Sequence, residues 1–595
     1  MKGLKDTINN RVRGISIAGI RFPLTVLCLL AAAILIMRFI ANEGDKEEVV
    51  LKYIFTLVLG AVLGVVVQFL VESFEVLQKK RLLLYLAPLI LLIGYFLILL
   101  PITDLNDRIV IRTIVTIFAL VCIGLWIPSY KSRADFNLVA LVHFKSFFTS
   151  ILYSGVLAIG LVAIIAAIDN LLFQVPDHTY AYAMTIIWVV FAPIYYLSLL
   201  ARFDASDEEE EERTKETSSY PKLLEILVSN ISIPLICAYT LVLVAYFIKI
   251  GFTRTWPSGQ VGPMVLIYTI AGLVIYILAS LLKNRFTQFY RKVFPKILIP
   301  IVIMQLISVG IRVNAYGITE SRYYILVFGI FSLIAGIILC FSDVNRNGRL
   351  ALLAAILAIL SIIPPIDAFT VSRNSQIERL EDILEEEGML ENESVTKNSN
   401  ANFKTKMEVT NILFYLQQSS SLSYLEWLPV NFQVYEDMET IFGFGPTYSY
   451  TGEEIHYTNI YLNKNQALPI EGYDVIFNAQ VGSYMKDPGT NYSEFMIDQK
   501  SYRLNIDRSS ANDVRVSILD NHGAELIGTG LKEFVKGLNS DTSPAKESLS
   551  PQELSLDVNQ NGYQLRIIFE NINYTTVNGQ EDSYDYNIYL VFAAP

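Results

Sequence analysis

The chain of 595 residues carries a formal net charge of −11, with 53% hydrophobic and only 17% charged residues and a mean hydropathy of +0.43. Globular domains average about 25% charged residues, so this composition excludes a protein that is soluble along its whole length. The charge is also unevenly spread: residues 1–368 hold 31 Lys and Arg against 24 Asp and Glu, whereas residues 369–595 hold 15 against 33. Two physical objects therefore meet near residue 368, an apolar one predicted to span a bilayer and an acidic one predicted to fold in water. The acidic surface repels phosphates, which excludes nucleic acid as a partner.

Crossing the roughly 30 Å hydrocarbon core takes about twenty mostly apolar helical residues. After a basic cytoplasmic tail at 1–21, windows of this kind fall at 22–41, 53–71, 82–102, 113–128, 146–168, 180–201, 226–248, 264–282, 297–311, 323–341 and 350–366. They predict an all-α transmembrane bundle of eleven helices over 22–368. The ninth window is the weakest, being short between Lys296 and Arg312 and carrying Pro300. The first follows five basic residues without a small-residue cleavage site, and reads as an anchor rather than a removable signal. With the N-terminus inside, the inner segments hold 22 Lys and Arg and the outer ones 7. That asymmetry is the one cytoplasmic loops carry, and an odd number of spans then puts the acidic tail outside the cytoplasm.

Past Pro364 and Pro365 the pattern changes. A helical period over 375–390 puts Ile377, Leu380, Ile383 and Leu384 on one face with Gly388 as a stop, and a second helix is predicted at 405–417 after a polar loop. Beyond these the period shifts to two, predicting strands at 502–506, 514–519, 563–570 and 584–592, with a short helix at 531–538 and a hairpin turn at Asn561-Gly562. The tail reads as a helical juxtamembrane segment at 369–430 followed by a β-rich domain at 431–595, an α+β whole. It contains no cysteine, since Cys28, Cys122, Cys237 and Cys340 all lie in apolar runs, so no disulfide framework is expected there.

Two stretches carry recognisable signatures. One reads Tyr316-Gly-Ile-Thr-Glu-Ser-Arg-Tyr323 between the ninth and tenth windows, and the other Ser375-Gln-Ile-Glu-Arg-Leu380 after the eleventh. Both resemble the bacterial membrane-protein family known as domain of unknown function 4153, in which such signatures close a multi-span bundle. The resemblance covers most of residues 20–430. It implies a polytopic protein of a bacterial inner membrane, and it implies no reaction, so no catalytic residue carries over.

The polar residues within or beside the spans are the remaining candidates, because ionisable and amide groups in a bilayer are costly. Arg312, Glu320 and Arg322 flank the Tyr316-Gly317 turn, where a pair between Glu320 and Arg312 would staple the ninth and tenth helices; the alternative is a simple interfacial turn. Asn230-Ile-Ser232-Ile-Pro234 is a candidate broken helix that, with Gln305, could line a cavity; the alternative is packing between helices. The acidic run 207–212 and the Trp256-Pro-Ser-Gly259 turn read as a solvated loop and an interfacial anchor. Two calcium-like half motifs, from Asp343 and from Asp557, carry Ala354 and Ile568 where a bidentate Glu is needed. With no phosphate loop, metalloprotease motif or nucleophile elbow, and only four histidines, no cofactor, metal or catalytic residue is predicted.

Three functions fit. The first is a non-enzymatic envelope anchor, binding or signal-transducing protein embedded in the lipid bilayer, whose outer domain holds an envelope protein or glycan. The second is a transporter of a small solute or lipid with a polar site around Asn230, Gln305 and Glu320. The third is a lipid-linked glycosyltransferase using Glu43 and Asp45 in the first outer loop, which is short for that purpose. The topology has a direct check: alkaline phosphatase fused after Pro595 is expected to be active, and the same reporter within 283–296 inactive. Activity at 283–296 would overturn the orientation.

Overall fold

The computed structural model describes residues 16–42, 48–79, 81–102, 105–132, 134–203, 214, 217–253, 261–392, 394–449, 454–463, 466–481, 491–510, 513–541, 548–577 and 580–595, and the chain divides into two compact units, Met1–Gln376 and Ile377–Pro595. Glu43, Asp45, the acidic run 207–212 and the turn at Trp256 lie outside the described residues.

The first unit is helical throughout its described length. Its helices are α1 (Pro23–Ala41), α2 (Glu48–Ser73), α3 (Arg81–Leu99), α4 (Asp107–Trp126), α5 (Phe136–Leu171), α6 (His178–Ser198), α7 (Lys222–Thr253), α8 (Val261–Ala279), α9 (Arg285–Tyr316), α10 (Glu320–Phe341), α11 (Gly348–Leu360) and α12 (Ala368–Glu386), the last of which runs on into the second unit. Each of the eleven apolar windows falls on one of these helices. Among the described residues nine helices, α1, α2 and α4 to α10, are long and apolar enough to cross a membrane. The third window supplies a shorter apolar helix, Leu83–Leu99. The eleventh supplies only 13 helical residues, about 20 Å of rise. The ninth window is the reverse case. Rather than being weak, it is the middle of a 32-residue helix that continues through both Pro295 and Pro300. Each proline removes one backbone donor, and a helix packed among others tolerates that locally.

Apolar side chains cover both the inside and the outside of the bundle, as in helices surrounded by lipid. Ile34, Ile90, Ile159, Leu241 and Ile267 are 64–73% exposed. The interior of the second half is aromatic: Tyr268, Tyr276, Tyr290 and Phe294 are 1–3% exposed and pack on Leu298 and Val302. Gly272 lets these rings in. A Cβ there would sit 2.3 Å from the Phe294 ring, and its carbonyl accepts from the Tyr290 hydroxyl at 2.9 Å.

Two helices change pitch in the same way. α6 becomes a π-helix over Ile186–Phe191, two residues before Pro193, and α7 does so over Leu227–Ser232, two residues before Pro234. The expected irregularity in the seventh window is therefore present as a widened turn rather than a break. The wider turn shifts the hydrogen bonding just where a proline lacks its N–H.

Polar bonds pair the helix ends. At one end, Arg21 donates to Glu72 at 2.7 and 2.8 Å and to the Leu200 and Ala201 carbonyls; Asn347 donates to Asn137 at 2.7 Å; Asn284 donates to Ser229 at 2.8 Å. These join the starts of α5, α7, α9 and α11 and the approach to α1 with the ends of α2 and α6. At the other end, Lys52 on α2 donates to the Leu100 and Ile102 carbonyls after α3, Arg112 on α4 meets Asp367 at 3.2 Å, and Tyr323 on α10 donates to the Ile366 carbonyl at 2.5 Å. α11 thus lies alongside α4, with Asn347 bonded before its start and Asp367 bonded after the turn that follows it.

The second unit has a helical and a sheet part. The end of α12, α13 (Phe403–Gln418) and α14 (Val434–Phe442) bury Leu380, Leu384, Val409, Leu413, Met438 and Phe442 in one core. Gly388, at φ +64°, ends α12 as the sequence requires. A small ribbon, β1 (Leu390–Glu391) with β2 (Ser394–Val395), follows α12. The rest is two sheets. One runs β10-β4-β12-β13-β5, from β10 (Ser548–Leu549), β4 (Glu454–Leu462), β12 (Tyr563–Val577), β13 (Gln580–Ala593) and β5 (Val475–Val481), with β3 (Tyr448–Ser449) on β4 and β11 (Ser555–Gln560) on β12. The other is the meander β6-β7-β8-β9, from β6 (Asn491–Ile497), β7 (Lys500–Ser510), β8 (Asp513–Asp520) and β9 (Glu525–Gly530). Their facing side chains, among them Val516, Ile518, Ile527, Phe569 and Phe592, form one core with α15 (Lys532–Asp541) against it. Gln560 pairs with Tyr563 across Asn561 and Gly562, both at positive φ, which is the two-residue hairpin turn the sequence predicts.

Gly272→Ala is expected to destabilise the bundle by about 1–3 kcal/mol through overpacking, read as a lower unfolding midpoint in detergent. Adding Phe294→Leu should recover part of the loss, because the clash is with that ring.

Candidate functional site

The two signature segments meet. α9 ends at Tyr316, and Gly317 turns the chain at φ +66°, a backbone angle that favours glycine. The Gln376 side chain donates to the Tyr316 carbonyl at 2.9 Å and the Ile318 carbonyl at 3.0 Å, and Ser375 Oγ accepts from the Ile318 amide at 2.9 Å. A Cβ on Gly317 would lie 2.5 Å from Gln376 Nε2, so glycine is needed for the close approach as well as for the angle. Arg322 closes the same turn, donating to the Tyr316 and Gly317 carbonyls at 3.0 and 2.7 Å with its guanidinium 5.7 Å from the centre of the Tyr316 ring.

More than two helical turns earlier, Asp367 stands fully buried at the N-terminus of α12. Its Oδ1 accepts from the Phe369 and Thr370 amides at 3.2 and 3.3 Å and from Arg112 at 3.2 Å, while Arg108 and Arg112 both lie 5.3 Å from the centre of the Phe369 ring. Burial by itself would push this carboxyl up, but hydrogen bonds from Thr370 and the charge of Arg112 outweigh it and hold the group below the usual carboxylate range. Asp367 Oδ2 has no hydrogen-bond partner among the described residues. This assembly orients backbone and charge; it contains no nucleophile paired with a base.

A second polar cluster lies at the opposite end, in the first half of the bundle. The Arg21–Glu72 pair is about one-tenth exposed on both sides. Gln68 donates to Glu72 and accepts from Tyr85, each at 2.8 Å. Close by, His143 Nδ1 and the Tyr196 hydroxyl are 2.5 Å apart. With Thr25 they form the polar part of a cavity of about 260 Å³, otherwise walled by apolar residues such as Leu29, Val66, Phe69 and Leu120. Pro193, just past the π-helical stretch of α6, also lines it. Among the described residues no group of three or more His, Cys, Asp or Glu is arranged to hold a metal.

The structure separates the residues that the sequence grouped. Arg322 belongs to the Gly317 turn. Glu320 is in the first turn of α10, but Arg312, which has no ion-pair partner among the described residues, does not pair with it. The turn is held instead by Arg322 and Gln376, which bond its carbonyls. Gln305 is fully buried, donating to the Gly262 carbonyl at 3.3 Å with its Oε1 unpartnered among the described residues. Asn230 is exposed on the π-helical stretch of α7. Neither lines the 260 Å³ cavity. Asp367, Arg112, Arg21 and Glu72 were missed. Asp367 had a signal, an acid directly before a helix start; the others had only their cost in an apolar window.

The chain matches the family described as domain of unknown function 4153 over residues 23–384, more than half its length and including both signature segments. It belongs to that family. Over 248 residues, covering 41% of each chain, it is 26% identical to an uncharacterized protein of Pasteurella multocida (strain Pm70). The match thus spans less than half of that relative. No solved structure matches the chain.

Asp367→Asn removes the charge that faces Arg112, whose side chain is about one-third exposed. The expected cost is about 1–3 kcal/mol, between the limits for exposed and buried pairs, and Gln376→Ala should cost about 1–2 kcal/mol. Because the folded carboxyl titrates below its unfolded value of about 3.9, its stabilisation is complete above that pH and is lost as the pH falls through the folded value. Melting curves of the full chain in detergent across that range should fall less steeply with acid in Asp367→Asn than in the wild type, the remaining fall coming from the other paired carboxylates.

Proposed function

We propose that the chain is a non-enzymatic envelope protein of a bacterial cytoplasmic membrane, in which an eleven-span bundle anchors an extracytoplasmic domain and transmits its engagement to the membrane. The observation that carries this reading is α12. Its first half is bonded to the bundle at Asp367, Ser375 and Gln376, and its second half places Leu380 and Leu384 in the core of the second unit. A segment bonded into one unit and packed into the next is suited to passing on a displacement, and the amide and hydroxyl contacts at Gly317 would register it. The orientation, N-terminus inside and acidic domain outside, is supported by the basic-residue asymmetry. The end-to-end bonds fit the same alternation of helix ends, and they would fit its inverse equally, so the direction rests on the basic residues.

A transporter of a small solute or lipid is the second reading. It is favoured by the 260 Å³ cavity beside His143, Tyr196 and a π-helical stretch, since pitch defects recur at functional sites. It locates the polar site there rather than around Asn230, Gln305 and Glu320.

Inserting Gly-Ser-Gly-Ser between Gln376 and Ile377 should leave the protein inserted and its two units folded, yet abolish rescue of a strain lacking the chain. Full rescue by the insertion variant, with loss of rescue in His143→Ala, would favour transport instead.

A further inference from the structure

In the second unit, four neighbouring strands carry two kinds of row. Ile460 on β4, Ile572 on β12, Tyr586 on β13 and Val481 on β5 pair across the sheet, are 0–4% exposed, and face the core between the sheets. One residue along each strand, Tyr461, Asn571, Asn587 and Gln480 pair in the same way. Side chains alternate along a strand, so this row lies on the opposite face. On the far side of the core row, Asn573 pairs with Asp585 on that same outer face. Here the sheet is concave. A cavity of about 210 Å³ is lined by Gln480, Asn571, Asn573, Asp585 and Asn587. The register of β12 against β13 slips between Phe569 and Asn571, and an extra residue of this kind bends a strand and re-aims its side chains.

The lining narrows the chemistry of what can fit. A primary amide offers two N–H donors and a carbonyl acceptor, so four amides converging on one hollow match a ligand whose groups both donate and accept. Sugar hydroxyls do so. Among the described residues the hollow has no Lys, Arg, His or Cys, so it lacks the charge for a phosphate and the donor set for a transition metal. Val481 and Tyr586 also border it, but their side chains belong to the core on the other face, so among the described residues the hollow offers no apolar side chain for an acyl chain. The volume equals that of about seven waters in the liquid, room for one sugar ring. Tyr461, 40% exposed at the end of the amide row, presents an aromatic surface to the C–H face of a neighbouring ring.

We propose that this amide-lined hollow binds a neutral carbohydrate, one ring within it and the next toward Tyr461. This names the ligand class for the domain that the envelope reading places outside the membrane, and it rests on that reading. The test uses the full chain in an amine-oxide detergent, because glucoside and maltoside detergents would themselves compete. Calorimetric titration with the N-acetylglucosamine tetramer and with maltotetraose is expected to show saturable binding of at least one. Asn573→Ala/Asn587→Ala should weaken that binding at least tenfold, and Asn400→Ala in the helical part should leave it unchanged. An unaltered melting midpoint for the double variant separates loss of the site from loss of the fold, and Gln480→Ala alone, on an exposed residue, serves as a milder second variant. Absence of saturable binding by either sugar, or binding that these variants leave intact, overturns the proposal. Binding of an envelope peptide in place of sugar overturns it too, while the anchor reading stands or falls separately with the insertion after Gln376.

Discussion

A chain that enters a bilayer must satisfy its backbone and its few charges without water, and in this protein that constraint is met at the helix ends. Each long-range polar bond there joins a helix end to another at the same level. Arg21 to Glu72, Asn347 to Asn137 and Asn284 to Ser229 hold one level, and Lys52 to the carbonyls after α3 and Arg112 to Asp367 hold the other. Apolar contacts between helices in lipid carry little orientational information, because lipid tails are as apolar as Leu. The polar bonds supply it. They mark which helix ends lie together, and they tie the segment that carries the 13-residue α11 at both of its ends.

The same constraint shapes the interior. A buried pair such as Arg21–Glu72 stabilises little in net terms, but leaving one partner alone costs about 3–5 kcal/mol. It therefore acts more as a register device than as a source of stability. Four satisfied groups surround it: Gln68, Tyr85 and the Leu200 and Ala201 carbonyls. The prolines follow the same logic. Pro193 and Pro234 each sit two residues after a π-helical stretch, where the wider turn takes up the missing donor without exposing a carbonyl to lipid. Pro193 also lines the cavity, which places the defect in pitch and the space side by side.

In the second unit water does what lipid does not, and the organisation changes accordingly. Two sheets bury one face each, alternating along every strand, and the turn chemistry is local: Asn561 and Gly562 at positive φ close a hairpin, and Gly388 ends α12. The outer face of the larger sheet keeps amides rather than charges at its centre, in a unit that is strongly acidic overall. Salt pairs such as Arg515 with Glu525 and Arg566 with Asp557 stay exposed, and contribute about 1 kcal/mol or less each.

Membrane class, the eleven apolar windows, the break near residue 368 and the α+β character of the tail were legible in the sequence, because apolar run length, loop charge and hydrophobic period are local quantities. The strands at Val514 and Tyr563 and the helix at Phe403 were read for the same reason; β5 was missed although Val475, Phe477, Ala479 and Val481 alternate with exposed Ile476, Asn478 and Gln480, and β9 was missed because Gly528 and Gly530 blank part of its pattern. The signature residues Gly317 and Gln376 could be picked out, but not that they touch, since 59 positions separate them along the chain and only the packing of α9, α10 and α12 brings them within hydrogen-bond reach. The pairing of Arg312 with Glu320 failed for the converse reason: nearness in sequence does not fix which side chains close a turn, and here Arg322 and Gln376 do so. Which buried polar group finds which partner is a non-local outcome of packing, and in this chain tertiary structure alone decided it.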